Sequence, residues 1–142
     1  MGPDSSATEI LVEARVIAMI GASPDPERPA YSVMAYLLEQ GHVVIPVRPG
    51  GGEILGCPVV GALADIDVPI DVVDVFRSAD VAPEIARDAV AVGARSLWLQ
   101  PGCISAEAGD IARAAGLGFV EDRCIRQAHR DEGVGPVGAP AP

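Results

Sequence analysis

The chain has 142 residues, 49% of them hydrophobic, and 20 acidic against 10 basic side chains set a net charge of −10. That length suits one domain able to bury roughly 70% of its unfolded surface, and that charge repels a nucleic-acid backbone, so general nucleic-acid binding is excluded. No apolar run approaches the ~18 residues that span a bilayer, and residues 1–8 lack the basic-then-apolar pattern of a secretion signal, so a cytoplasmic protein with no membrane role is expected.

Residues 5–14 predict a short leading helix. The apolar run 16–20, closed by Gly21, reads as a strand buried on both faces of a parallel sheet. After a proline-studded loop, Val33 with Leu37 and Met34 with Leu38 recur at helical spacing, which predicts a helix over 31–40 stopped by Gly41. The alternation continues as strand 43–47, strand 72–76, helix 83–92, strand 97–99, helix 106–115 and strand 119–121. Asp80 is a candidate cap for the helix beginning at Pro83, and Ser105 for the next. Residues 50–69 break the pattern, with short extended pieces at 53–56 and 59–60 and a helical turn at 63–66. Residues 131–142, rich in Gly, Pro and Ala, read as a disordered tail. The expected fold class is therefore α/β: a Rossmann-like, doubly wound, mainly parallel five-stranded sheet with helices on both faces, one domain over residues 1–130.

In such sheets ligands collect beyond the carboxyl ends of the strands, where strand order reverses. Arg28, Arg48, Arg77 and Arg123 all follow strands at that end, which points to an anionic ligand. Gly21 permits a sharp turn, and Ser23 offers a hydroxyl beside main-chain donors, so Gly21-Ala22-Ser23 is a candidate phosphate cradle. It is not G-x-G-x-x-G, because the second and third glycines are absent. An NAD-binding chain usually carries an acid after its second strand to hold the ribose hydroxyls, whereas this one reads Val47-Arg48-Pro49. Arginine there favours a nucleotide with an extra phosphate on its ribose, which NADP and coenzyme A both have.

Catalytic constellations are sparse. All ten basic residues are arginine, which excludes a lysine Schiff base and a Walker lysine. The three cysteines, Cys57, Cys103 and Cys124, form neither a C-x-x-C pair nor an even disulfide set. Cys103, in the loop after the fourth strand, is the thiol better placed near a ligand, and Cys103 or Cys124 is a candidate for a mixed disulfide with a thiol ligand. His42 opens a strand at the far end of the sheet and reads as a surface residue. Glu121 and Asp122 are adjacent and point apart, so they form no acid–base pair.

Taken in order, 16–21 with Ala22-Ser23-Pro24, Glu27-Arg28-Pro29 before Tyr31-Ser32, Ile45-Pro46-Val47, Glu53-Ile54-Leu55-Gly56, Leu63-Ala64-Asp65-Ile66, Asp71-Val72-Val73-Asp74-Val75-Phe76-Arg77, Leu97-Trp98-Leu99-Gln100 and Asp122-Arg123-Cys124-Ile125 resemble the stand-alone CoA-binding protein family. The likeness covers about residues 12–130, and the family is similar to the first domain of the succinyl-CoA synthetase α subunit. It implies coenzyme A or an acyl-CoA as the ligand. The pyrophosphate is implied near Gly21, Ala22 and Ser23 with Arg28, Pro29, Tyr31 and Ser32, and the adenosine end near Val47, Arg48, Pro49 and Phe76, with Arg77 and Gln100 completing the set. Arg48 stands where the family often has asparagine, and Pro101-Gly102-Cys103 replaces a more usual stretch. The related ligases use a phosphohistidine in a second domain, so a carrier, sensor or partner module of a larger enzyme is expected rather than a complete ligase. The alternative from the residues themselves is an NADP-dependent oxidoreductase.

Overall fold

The computed structural model describes residues 1–142. A short helix, α1 (Ala7–Glu13), is capped by Ser6, whose hydroxyl accepts the Glu9 N–H at 3.2 Å. It leads into β1 (Val16–Ile20), where Ile17, Ala18 and Met19 are wholly buried because both faces of the strand are covered. Asp71 fixes the start of that strand by accepting the N–H groups of Arg15 and Val16, each at 2.9 Å. Then follow α2 (Pro29–Glu39), β2 (Val43–Val47), β3 (Glu53–Ile54), β4 (Cys57–Pro58), β5 (Val72–Val75), α3 (Ala82–Ala91), β6 (Ser96–Leu99), α4 (Ala106–Ala114), β7 (Gly118–Val120) and α5 (Ile125–Asp131).

The main sheet has the order β2-β1-β5-β6-β7, with every neighbouring pair parallel. It is the Rossmann-like α/β sheet expected, with helices on both faces. Alternate residues of each strand serve separate cores. Ile17, Met19 and Trp98 face the layer containing Val33, Met34 and Leu37 of α2 and Ile125 of α5, whereas Ala18, Val73 and Leu97 face Ala86 of α3 and Ala112 of α4. The chain leaves β1 toward β2 on one side and resumes at β5 on the other. The order therefore reverses between β1 and β5, and a crevice opens at their carboxyl ends.

Between β2 and β5 the crossover contains no α-helix. β3 and β4 form a small antiparallel pair, Val60 bridges Val47, and Leu63–Asp65 makes one 3₁₀ turn. The expected extended piece at 59–60 is thus this bridge at Val60, and β4 at Cys57–Pro58 is an addition to it. The predicted Asp80 cap is also corrected: α3 starts after Val81 with no side-chain cap, and Asp80 instead accepts the Ser78 hydroxyl within a preceding 3₁₀ turn. Ser105 does cap α4, accepting the Ala108 N–H at 3.1 Å.

Two further expectations change, one at the carboxyl-terminal segment and one at His42. α5 carries no prediction, and the segment after it, whose composition predicts disorder, is laid back on the domain. The Val137 N–H donates to the Gln40 carbonyl at 2.7 Å. Since the Gly135 carbonyl can only accept, His129 Nε2–H donates to it at 3.1 Å, which leaves Nδ1 to accept the Tyr36 hydroxyl at 2.7 Å. His42, read as a surface residue, is buried. Its Nδ1–H donates to the Leu37 carbonyl, and its ring meets His129 edge-on at 5.9 Å. Burial lowers the pKa of both imidazoles. No helix is long and apolar enough to cross a membrane.

Candidate functional site

At the mouth of the crevice Gly21 follows β1 with φ +80°. Its N–H donates to the Val47 carbonyl of β2 at 3.1 Å, while the Phe76 N–H following β5 donates to Ile20 at 2.8 Å. A Cβ on Gly21 would collide with the Phe76 carbonyl and lie 3.2 Å from Arg77 Cδ. Glycine is required there by both the torsion and the close approach.

The loop after Gly21 is held by its own polar groups. Ser23 Oγ accepts the Asp25 N–H at 3.1 Å, Asp25 accepts the Glu27 N–H at 2.9 Å, and the Asp25 carboxylate lies 3.9 Å from Arg28. The helix that follows, α2, begins without a side-chain cap and with proline in its first turn.

Three open cavities meet along the strand ends. The first, about 450 Å³, lies between Gly21, Ala22, Val47, Arg48, Pro49 and α3. The second, about 370 Å³, sits over the loop and includes Ser23, Arg28, Pro29 and Phe76. The third, about 550 Å³, lies between α2, the ends of β5 and β6, and α5; Phe76, Arg77, Gln100, Cys124 and Arg126 line it. Gly21 and Arg48 are shared by the first two, Arg77 by the first and third, and Pro29 and Phe76 by the last two, so the three make one trough.

Eleven of the thirteen residues singled out from the sequence line this trough. Tyr31 and Ser32 do not: Tyr31 packs against the core beneath α2, and the Ser32 hydroxyl donates to the Pro29 carbonyl while accepting from Arg126. Arg123, grouped by sequence with the crevice arginines, turns away and pairs with Glu132 at 2.8 Å. Arg126, one helical turn later, is the arginine that faces the cavity. Arg48, Arg77 and Arg126 have no carboxylate within ion-pair distance; Arg48 makes only long contacts, 3.4 and 3.5 Å, to the Pro49 and Ala22 carbonyls. In a chain with twice as many acids as bases, that places three cations without a direct ion-pair partner around one trough.

Beneath the third cavity lies a group that sequence reading passed over as part of a strand. Asp74 is fully buried between Met19 and Trp98 in register; its Oδ1 accepts from Gln100 Nε2, and its Oδ2 has no partner. Burial pushes the Asp74 carboxyl up to about 7, against the opposing effect of the Gln100 hydrogen bond. The signal available was an acid in the middle of Val72-Val73-Asp74-Val75, where a buried strand should be apolar throughout. With its amide nitrogen committed to Asp74, Gln100 carries an amide oxygen that accepts no bond from the protein.

The thiols separate clearly. Cys103, the one expected near a ligand, is 3% exposed and outside all three cavities, and burial raises its pKa. Cys124 is half-buried and lines the third cavity. Glu121 and Asp122 accept from the Ser105 and Gly102 N–H groups respectively, at different points of the loop between β6 and α4.

A doubly wound parallel sheet with a cation-lined trough at its switch point defines a Rossmann-like α/β module. More specifically, the chain belongs to the CoA binding domain family, whose model matches residues 15–130. It is 36% identical over 121 residues to YneT of Bacillus subtilis (strain 168), covering 85% of this chain and 90% of that protein. The structure of a hypothetical protein from Pyrococcus horikoshii OT3 superposes with a TM-score of 0.84 at 37% identity, over 90% of this chain and 92% of that one. The dinucleotide forming acetyl-coenzyme A synthetase 1 of Ca. Korarchaeum cryptofilum, in its apo form, superposes with a TM-score of 0.59 at 25% identity, over 64% of this chain and 20% of that one.

Proposed function

We propose that the trough holds coenzyme A or an acyl-CoA, and that the protein is a carrier, sensor or partner module rather than a catalyst. Family membership supports CoA as the ligand in general. The observation that carries the site assignment is the convergence of Arg48 and Arg77 with the Gly21 loop on one crevice. Arg48 takes the phosphorylated ribose with charge-assisted bonds, Gly21, Ala22, Ser23 and Arg28 take the pyrophosphate, and the pantetheine arm passes Phe76 into the third cavity. There the unpaired Gln100 amide oxygen accepts an N–H of that arm. A binding role is favoured because the trough holds no base beside Cys124: His42 and His129 bond each to a backbone carbonyl away from it.

Isothermal titration with CoA, dephospho-CoA and NADPH tests this reading. CoA should bind at least about tenfold more tightly than dephospho-CoA, the size of effect a charge-assisted contact supplies. Equal affinities would remove the role given to Arg48. Binding of NADPH with none of CoA would replace the reading with an NADP-dependent one.

A further inference from the structure

CoA accounts for the cations near its phosphates and leaves one unexplained. Arg48 and Arg28 border the first two cavities, and Arg77 is shared between the first and the third. Arg126, on α5, borders the third cavity and neither of the other two, and its only side-chain hydrogen bond is to Ser32 Oγ at 3.2 Å. The walls of this cavity include Val33, Val75, Phe76 and Pro101 and two guanidinium groups, with no carboxylate among them. The first cavity, by contrast, carries Glu84 and Asp88. Apolar walls with an arginine that lacks a direct ion-pair partner at the rim suit an aliphatic chain that ends in an anion.

We infer that the third cavity is an acyl subsite selective for acyl groups ending in a carboxylate, with Arg126 as the residue that sets this specificity. The inference rests on the CoA reading above and adds to it the class of acyl group. The carboxylate replaces the missing counter-ion of Arg126, and a planar guanidinium can take both carboxylate oxygens at once. A neutral acyl chain of equal length fills the same apolar space but leaves the cation unpaired. The difference between the two ligands therefore belongs to Arg126 and not to the nucleotide.

Two thioethers that cannot hydrolyse, S-(3-carboxypropyl)-CoA and S-butyl-CoA, carry four-carbon chains with and without the carboxylate and isolate this term. Titrated into the wild-type chain beside CoA, the carboxylated ligand should bind at least about tenfold more tightly than the butyl ligand. Arg126→Gln should remove the preference, and Arg126→Lys should keep part of it, since it retains the charge but not the planar fork. Thermal unfolding of each variant confirms that it is folded. Equal binding of the two thioethers by the wild type, or a preference that survives in Arg126→Gln, overturns the inference while leaving CoA binding intact. Failure of CoA itself to bind overturns the underlying reading, and the acyl subsite with it.

Discussion

Asp74 ties stability to pH in a direction opposite to that of most carboxylates, and Asp74→Asn exposes it. An acid with a raised folded pKa holds its proton more firmly in the folded chain than in the unfolded one. Stability is therefore greatest where Asp74 is protonated, falls as pH rises from the ordinary value of 3.8 toward about 7, and levels off above that. Asparagine keeps an oxygen for the Gln100 N–H and never ionises. Two pH units of the titration lie between pH 5 and about 7, and each unit corresponds to ~1.4 kcal/mol. The stability of Asp74→Asn relative to wild type should thus improve by roughly 3 kcal/mol between pH 5 and pH 8.5, or about 10 °C in the melting temperature of a domain this size. Urea unfolding at both pH values measures it. Trp98 is a suitable reporter, being the single tryptophan, fully buried and paired in register with Asp74. Comparing the two chains cancels every other titrating group. A gap that stays constant or narrows with rising pH would refute the assignment of a buried, proton-retaining carboxyl.

Gly21→Ala should lower stability by more than ~1 kcal/mol and abolish CoA binding, because both its positive φ and its Cβ force Phe76 away; urea midpoints and titration read the two effects separately. Arg48→Ala should weaken CoA about tenfold and leave dephospho-CoA almost unchanged, as seen by calorimetry at fixed salt. For the His42 and His129 pair the sign is the reverse of that for Asp74: burial depresses both pKa values, so their contribution is present above about 6.5 and is lost as acid charges the imidazoles. Acidification should therefore break the Tyr36 hydroxyl's bond to His129 Nδ1 first, because that nitrogen takes the proton while Nε2–H keeps its bond to the Gly135 carbonyl, and the loss of stability in acid should be smaller in His129→Phe, as urea midpoints at pH 5 and 7.5 would show.

The strands were the most legible part of the chain, because a parallel strand covered on both faces must be apolar throughout and these runs are. The loop at Gly21 followed from the rule that ligands gather at the switch point, which needs strand order but no side-chain detail. What sequence reading lost depended on rotation about a short helix. α5 has seven residues and buries only Ile125, Ala128 and His129, too little periodicity to announce a helix, and no glycine stop occurs before Gly133. Without that helix Arg123 and Arg126 could not be told apart, nor could Cys124 be preferred to Cys103. Asp74 was hidden for a different reason. Its neighbours identify a strand, but only the register beside Met19 and Trp98 shows that the acid is enclosed. The carboxyl-terminal segment is rich in residues typical of disorder, and its anchoring depends on His129 and Gln40, partners that composition does not reveal.

The sheet divides the interior into two layers that do not share side chains, and the trough crosses the line between them. Val47, Leu63 and Ile85 on the first cavity belong to the layer under α3 and α4, whereas Val33 on the third belongs to the layer under α2 and α5. A ligand lying along the whole trough acts as a strap across the top of both layers and ties their opening motions together. Occupancy should then slow amide exchange in α2 and in α3 alike, although the two helices lie on opposite faces of the sheet.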